Sequence, residues 1–234
     1  MTFTSPYNAA EALLLKTKMK EIDSIERSYL EKIDVGALKL ALADDQGKKT
    51  FWINIYNAYF QILRRAGNQA PDIYKNKLIP IAGRLFSLDD IEHGILRRFR
   101  LKHENSYFED PSIEGWIREM AVDEVDFRIH FALNCGARSC PPIAFYSLFN
   151  IDPQLEMATL SFLNQETDLY FEKKEAHISM LFPWYEADFG GESGMREILE
   201  RYLQVKLSNW KLVYKEYNWD EELDNFIQEP VDKN

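Results

Sequence analysis

The residue types able to do chemistry concentrate in HFALNCGARSCPPI, residues 130–143, which holds both cysteines of the 234-residue chain and one of its four histidines. Three chemistries fit such a stretch: a thiol nucleophile, a metal clasp, or a redox pair of sulfurs. A catalytic thiol needs partial exposure, a lowered pKa and a base within hydrogen-bond reach. Cys135 meets the positional demand, because it stands where an interior strand is expected to end and a glycine turn to begin. The small residues Gly136 and Ala137 beside it leave backbone N–H groups open to a developing oxyanion. Cys140 precedes Pro141-Pro142 and so lacks two downstream N–H donors.

The partner histidine is expected to come from another element. On an unbroken strand His130 would lie on the opposite face, about 16 Å from Cys135. His93 sits mid-helix beside Glu92, and helix neighbours at i, i+1 diverge, so its orienting group must come from elsewhere. Asn54, Asn57 and Asp188 are the candidates. His177 would give the order Cys, His, Asp but opens a predicted strand, and His103 lies in a polar loop. The expected set is therefore Cys135 as nucleophile, His93 as base, and Asn57 or Asp188 as orienter.

Structural readings stand beside each of these roles. A cytosolic cysteine is most often a small buried hydrophobe. A mid-helix histidine beside a carboxylate is often a satisfied core group. The asparagines of WINIYN can tie loops to a helix, and WYEADF can be a packing corner in which Asp188 accepts backbone N–H bonds. A C-x4-C zinc site would need a fourth ligand beyond His130, and C-x4-C is not the C-x-x-C of thioredoxin-like redox pairs. No metal and no other cofactor is expected. The P-loop, GxGxxG, HExxH and GxSxG patterns are absent.

The elements that must position these residues read as follows. Residues 9–33 are helical by apolar spacing, 35–44 form a second helix ended by a break at Asp44–Gly47, and 51–67 a third closed by Gly67. NKLIPIAGRLFS (76–87) reads as a hairpin turning at Ala82-Gly83. Ser87 caps a helix over 87–99, and 112–120 is a short helix. FRIHFALN (127–134) reads as an interior strand, being rich in β-branched and aromatic residues. Asp152-Pro153 opens a helix running to about Thr167. Strands are expected at 169–173 and 177–182, a helical turn at 183–189, a helix capped by Ser193 at 194–203, and a last strand at 210–219. Residues 228–234 are expected to fray.

The totals narrow the function. At 46% hydrophobic and 28% charged residues the composition is that of a folded globular protein. A net charge of −10 repels phosphate backbones, and the best basic candidates, Arg64-Arg65 and RRFRLK (97–102), sit at the ends of predicted helices, where cations complement the dipole. Neither nucleic acid nor membrane is expected as a partner; oligomeric state stays open. Without a signal-like start or a membrane-spanning run, the cytoplasm is the expected compartment, and two cysteines there should be thiols or ligands.

Four segments together resemble a known family. FWINIYNA (51–58), FSLDDIEHGILR (86–97), RIHFALNCGARSCPPI (128–143) and WYEADF (184–189) are similar to the motifs of the domain of unknown function 547. The resemblance implies a papain- or transglutaminase-like thiol fold by analogy, and fusions of some members to glutaredoxin-type domains hint at thiol chemistry. The fold expected is α+β, a helical N-terminal part packed on a mostly antiparallel sheet. It forms one domain: a helical extension (1–48), a family core (49–205), and a final strand with tail (206–234). The function expected is a cysteine-dependent hydrolase or acyltransferase acting on a small peptide- or thiol-like substrate. The binding residues would be Trp52, Tyr56, Trp184 and Tyr185, with Glu92, Asn134 and Cys140 beside them. The alternative is a non-catalytic binding or scaffold module of the same fold.

Overall fold

Lys20, in a left-handed conformation, splits the expected first helix in two. Ser5 accepts the Asn8 N–H to start α1 (Pro6–Met19), and α2 (Ser24–Lys32) follows the break. The computed structural model describes residues 3–101 and 109–227, so His103 and the 228–234 tail lie outside the described residues. Asp34 caps α3 (Val35–Ala41) by accepting the Ala37 N–H.

The expected break at Asp44–Gly47 is instead the start of the central helix α4 (Asp45–Arg65). Asp44 accepts the Gly47 N–H at 2.7 Å, which makes the turn residue a helix cap. Every residue of α4 from Gly47 to Gln61 is buried. Its two lysines in that stretch survive burial by pairing: Lys49 holds Asp126 at 2.7 Å, and Lys48 lies 3.5 Å from Asp45.

The short α5 (Asp72–Lys75) leads to a hairpin of β1 (Ile79–Ile81) and β2 (Arg84–Phe86), turning at Ala82-Gly83 as expected. The turn's N–H groups donate to the Leu30 and Glu31 carbonyls at 2.9 and 2.7 Å, satisfying the end of α2. Over 87–99 the expected α-helix is replaced by a π-helix, Asp90–Leu96. Arg97 and Phe99 donate to carbonyls five residues back, Glu92 and Gly94, at 2.8 and 2.9 Å. Ser87 does cap it, exchanging hydrogen bonds with Asp90. α6 (Gly115–Arg118) packs against this turn; a Cβ on Gly94 would stand 2.8 Å from Ile117 Cγ2.

FRIHFALN is not a strand. Residues 127–131 form a 3-10 turn begun by Asp126, which accepts the Arg128 N–H at 3.1 Å. Two hydrophobic cores explain the misreading. Ile129 and Ala132 belong to a first core built around α4, and Phe131 to a second in the C-terminal half. A run buried on both sides is apolar throughout, and such a run cannot announce its period.

α7 (Ile151–Glu166) follows, with Asp152 in its first turn and Asn150 as cap. β3 (Asp168–Tyr170) and β4 (Glu175–Ile178) pair antiparallel, and β5 (Lys211–Tyr214) lies parallel to β4. Between them come α8 (Leu181–Trp184) and α9 (Gly191–Leu203), the latter opening two residues before the expected Ser193 cap. The class is α+β as expected; the described residues form two small sheets, one an antiparallel hairpin and one mixed, where a single sheet was expected. No described helix is long and apolar enough to cross a membrane.

Candidate functional site

A cleft of about 800 Å³ is lined from both cores, by Tyr56 and Phe60 of α4 on one side and Leu181 and Tyr185 on the other. The π-helix contributes Glu92 and His93, the 135–137 turn contributes Cys135, and the chain after β5 contributes Tyr217, Trp219 and Glu221. Trp184, Tyr217 and Trp219 pack ring against ring with centroids 4.6–5.5 Å apart. They form an aromatic wall of the kind that small-molecule sites use.

Behind this surface lies a buried chain of charges. Arg97 Nη1 donates to His93 Nδ1 at 2.8 Å, and Arg97 Nε donates to Asp188 at 2.6 Å. Asp188 also accepts from Arg100 at 2.6 Å and from His130 Nε2 at 2.8 Å. A guanidinium has no acceptor, so in neutral His93 the Nδ1 is the acceptor and the ring proton is on Nε2. Burial pushes the Asp188 carboxyl up, but the bonds from His130 and Arg97 outweigh it and hold it far below the usual carboxylate range. Burial pushes the His130 imidazole down, against the raising effect of Asp188, and the ring stacks on Tyr185 at 3.9 Å.

Glu92 is a charged group of the cleft wall. It accepts the Tyr56 hydroxyl at 3.0 Å and the Tyr185 hydroxyl at 2.7 Å. Burial raises its carboxyl, but His93, Tyr185, Arg97 and His130 together bring it below the ordinary value. Burial foremost, with Glu92 adding to it, raises both tyrosines, so they remain protonated donors.

The two cysteines, expected as thiols or ligands, are joined as a disulfide. The 135–140 turn brings their Cα atoms to 6.2 Å, within bridging range. Cys135 faces the cleft, whereas Cys140 is 5% exposed and lies behind it. The Gly136 N–H, expected to face an oxyanion, donates to Asn134 Oδ1 at 2.8 Å. Among the described residues no group of three or more His, Cys, Asp or Glu is placed to hold a metal ion.

Of the residues singled out by sequence, Cys135, His93, Tyr56, Glu92, Trp184 and Tyr185 share the cleft. Asn57 is fully buried and ties the backbone, donating to the Ala132 carbonyl at 2.9 Å and accepting the Asn134 N–H at 3.0 Å. Asn54 does the same for both groups of Tyr146. Among the described residues Asp188 accepts side-chain donors rather than backbone N–H groups, and Arg97 links it to His93. Trp52 is a core residue against Phe86, and Asn134 is wholly buried. His177 pairs with Glu175 at 3.2 Å and does not line the cleft.

Sequence reasoning missed Arg97, Tyr217 and Trp219. Arg97 reads as an ordinary helix-end cation, yet it is 1% exposed. The other two sit in a stretch whose alternation extends past the true strand end at Tyr214.

Fold and site together define an α+β protein whose aromatic cleft carries a disulfide and a clamped histidine in its walls. The chain belongs to the family described as "Protein of unknown function, DUF547", whose family model matches residues 40–163, more than half of its length. No curated protein and no solved structure matches it.

Proposed function

We propose that the chain carries out cysteine-dependent hydrolysis or acyl transfer on a small peptide- or thiol-like molecule held in the aromatic cleft, with reduced Cys135 as nucleophile. The observation that carries this reading is the placement of Cys135, His93 and Glu92 in the walls of one cleft. Because Arg97 occupies Nδ1, His93 serves as an N–H donor to the thiolate or to a developing oxyanion, not as the base expected from sequence. Asp188 acts as a positioning residue through Arg97, and Asn57 acts only on the loop that carries Cys135.

The test uses protein reduced with dithiothreitol, freed of reductant, and offered p-nitrophenyl acetate and a peptide thioester. An acyl adduct mapped to Cys135 by peptide mass spectrometry, absent in Cys135→Ala, is the expected result. No adduct from either substrate, with Cys135 alkylated only after unfolding, overturns it.

One feature favours a second reading, a binding module without turnover: the sulfur in the cleft is tied to Cys140. In that case ligand binding, read by fluorescence of Trp184 and Trp219, is unchanged in Cys135→Ala.

A further inference from the structure

We propose that the Cys135–Cys140 disulfide is itself a reaction centre for thiol–disulfide exchange with a small thiol, attacked at Cys135 and opened toward Cys140. The proposal rests on the reading above only in that a small molecule reaches Cys135 through the cleft; it requires no acyl chemistry.

The two sulfurs are inequivalent. Cys135 lines the cleft, and Cys140 is shielded behind it. An incoming thiolate therefore meets Cys135 Sγ, and the sulfur that must leave is Cys140 Sγ. Two donors converge on that leaving sulfur: the Cys135 backbone N–H at 3.1 Å and the Tyr217 hydroxyl at 3.1 Å. A bridged sulfur carries no proton, so the phenol donates. Tyr217 lies farther from Cys135 Sγ, at 3.5 Å. Leaving-group thiolates depart faster when stabilised, and hydrogen bonds to the charged form are what stabilise them.

Hydrogen bonds that do not involve the bridge also tie the surrounding loop. Asn134 spans it, donating to the Pro141 carbonyl at 2.8 Å and accepting the Gly136 N–H at 2.8 Å. Arg138 and Ser139 donate to the Asp220 and Asn218 carbonyls at 2.9 and 3.3 Å, and Glu222 donates to Gly136 at 2.7 Å. None of these bonds requires the sulfurs to be joined, which suits a bridge that opens and closes reversibly.

The steps balance without a further oxidant. A thiolate RS⁻ bonds to Cys135 Sγ, the Cys135–Cys140 bond breaks, and its electron pair becomes the Cys140 thiolate. A second RS⁻ then attacks the substrate sulfur of the mixed disulfide, giving RSSR and the Cys135 thiolate; two protons from the two thiols complete the dithiol. The cleft suits a small, partly aromatic or peptide-like thiol, with Trp184 and Trp219 as flat surfaces and Lys75 as a cation for a carboxylate.

The experiment mixes oxidised full-length protein with reduced glutathione, quenches in acid, and locates the adduct by peptide mass spectrometry. We expect glutathione on Cys135 in at least tenfold excess over Cys140. Opening in Tyr217→Phe should be about tenfold slower at fixed pH. An adduct mainly on Cys140, a bridge that opens only in denaturant, or wild-type opening in a folded Tyr217→Phe would each overturn the proposal. The adduct's position is read on the unmodified chain, so a Tyr217 variant that fails to fold does not remove the test. Acylation of reduced Cys135 plays no part in this readout, so exchange and acyl transfer fail or succeed separately.

Discussion

Arg97 Nη1 stands 2.8 Å from His93 Nδ1, with the same guanidinium bonded through Nε to Asp188 at 2.6 Å. The histidine's tautomer is thereby set by a residue one turn away in the same segment. Long-range 1H–15N spectra of the neutral imidazole should show His93 protonated at Nε2, and Arg97→Met should give a tautomer mixture.

The same variant leaves Asp188 buried with fewer cations around it. Breaking one partner of a buried pair costs about 3–5 kcal/mol, and Arg100 with His130 retains part of the compensation. Arg97→Met is expected near the low end, read as a shift in the urea midpoint at constant slope. Arg97→Lys should not restore it, because a single ammonium cannot reach His93 and Asp188 with a fork.

Acid stability should report on Asp126. Burial raises its carboxyl, but bonds from Arg128 and Lys49 outweigh this and bring it from 3.8 down to about 2. A depressed folded pKa stabilises the fold above the unfolded value and loses that contribution as pH falls through the folded one. Asp126→Asn should therefore cost about 2 kcal/mol at pH 7, with its difference from the wild type vanishing between pH 4 and pH 2. A loss that persists unchanged at pH 2 would point to packing instead.

Asn57 offers a clean separation of structural from catalytic roles. Asn57→Ala leaves the Ala132 carbonyl and the Asn134 N–H unpaired in a buried site, at about 1–3 kcal/mol each. Thermal unfolding should show the loss. A variant of wild-type stability that had lost only turnover would contradict the tie described here.

Gly136 has φ +75°, and a Cβ there would lie 2.6 Å from Phe60 Cε1. Gly136→Ala combines a left-handed conformation costing about 1–3 kcal/mol with displacement of a cleft-lining ring. Both the melting temperature and the alkylation rate of reduced Cys135 should change.

Much of the architecture was legible because its signals are local. Ser87 and Ala82-Gly83 act through neighbouring backbone groups, and their cap and turn formed where the residue types required them. The cleft was legible in part: Cys135, His93, Glu92 and Tyr185 stand out by type and motif. Their connections were not, because they join positions far apart in the chain. Arg97 meets Asp188 across 91 residues, and Cys135 meets Tyr217 across 82. The 127–131 turn was misread for a different reason, since burial from two sides erased the alternation that separates helix from strand. That error also set His130 aside, although it holds Asp188 and underlies Tyr185.

The return of the chain after β5 to complete the cleft has a consequence in time. Synthesis proceeds at about 5–20 residues per second, so Trp219 follows Cys140 by roughly 4–16 seconds. During that interval a nascent chain already carries His93 and both sulfurs, while the phenol that caps Cys140 and the outer aromatic wall do not yet exist. A nascent chain at that stage holds both cysteines without the residues that complete the outer wall of the cleft. The segment after β5 thus finishes a wall whose other residues are made before it.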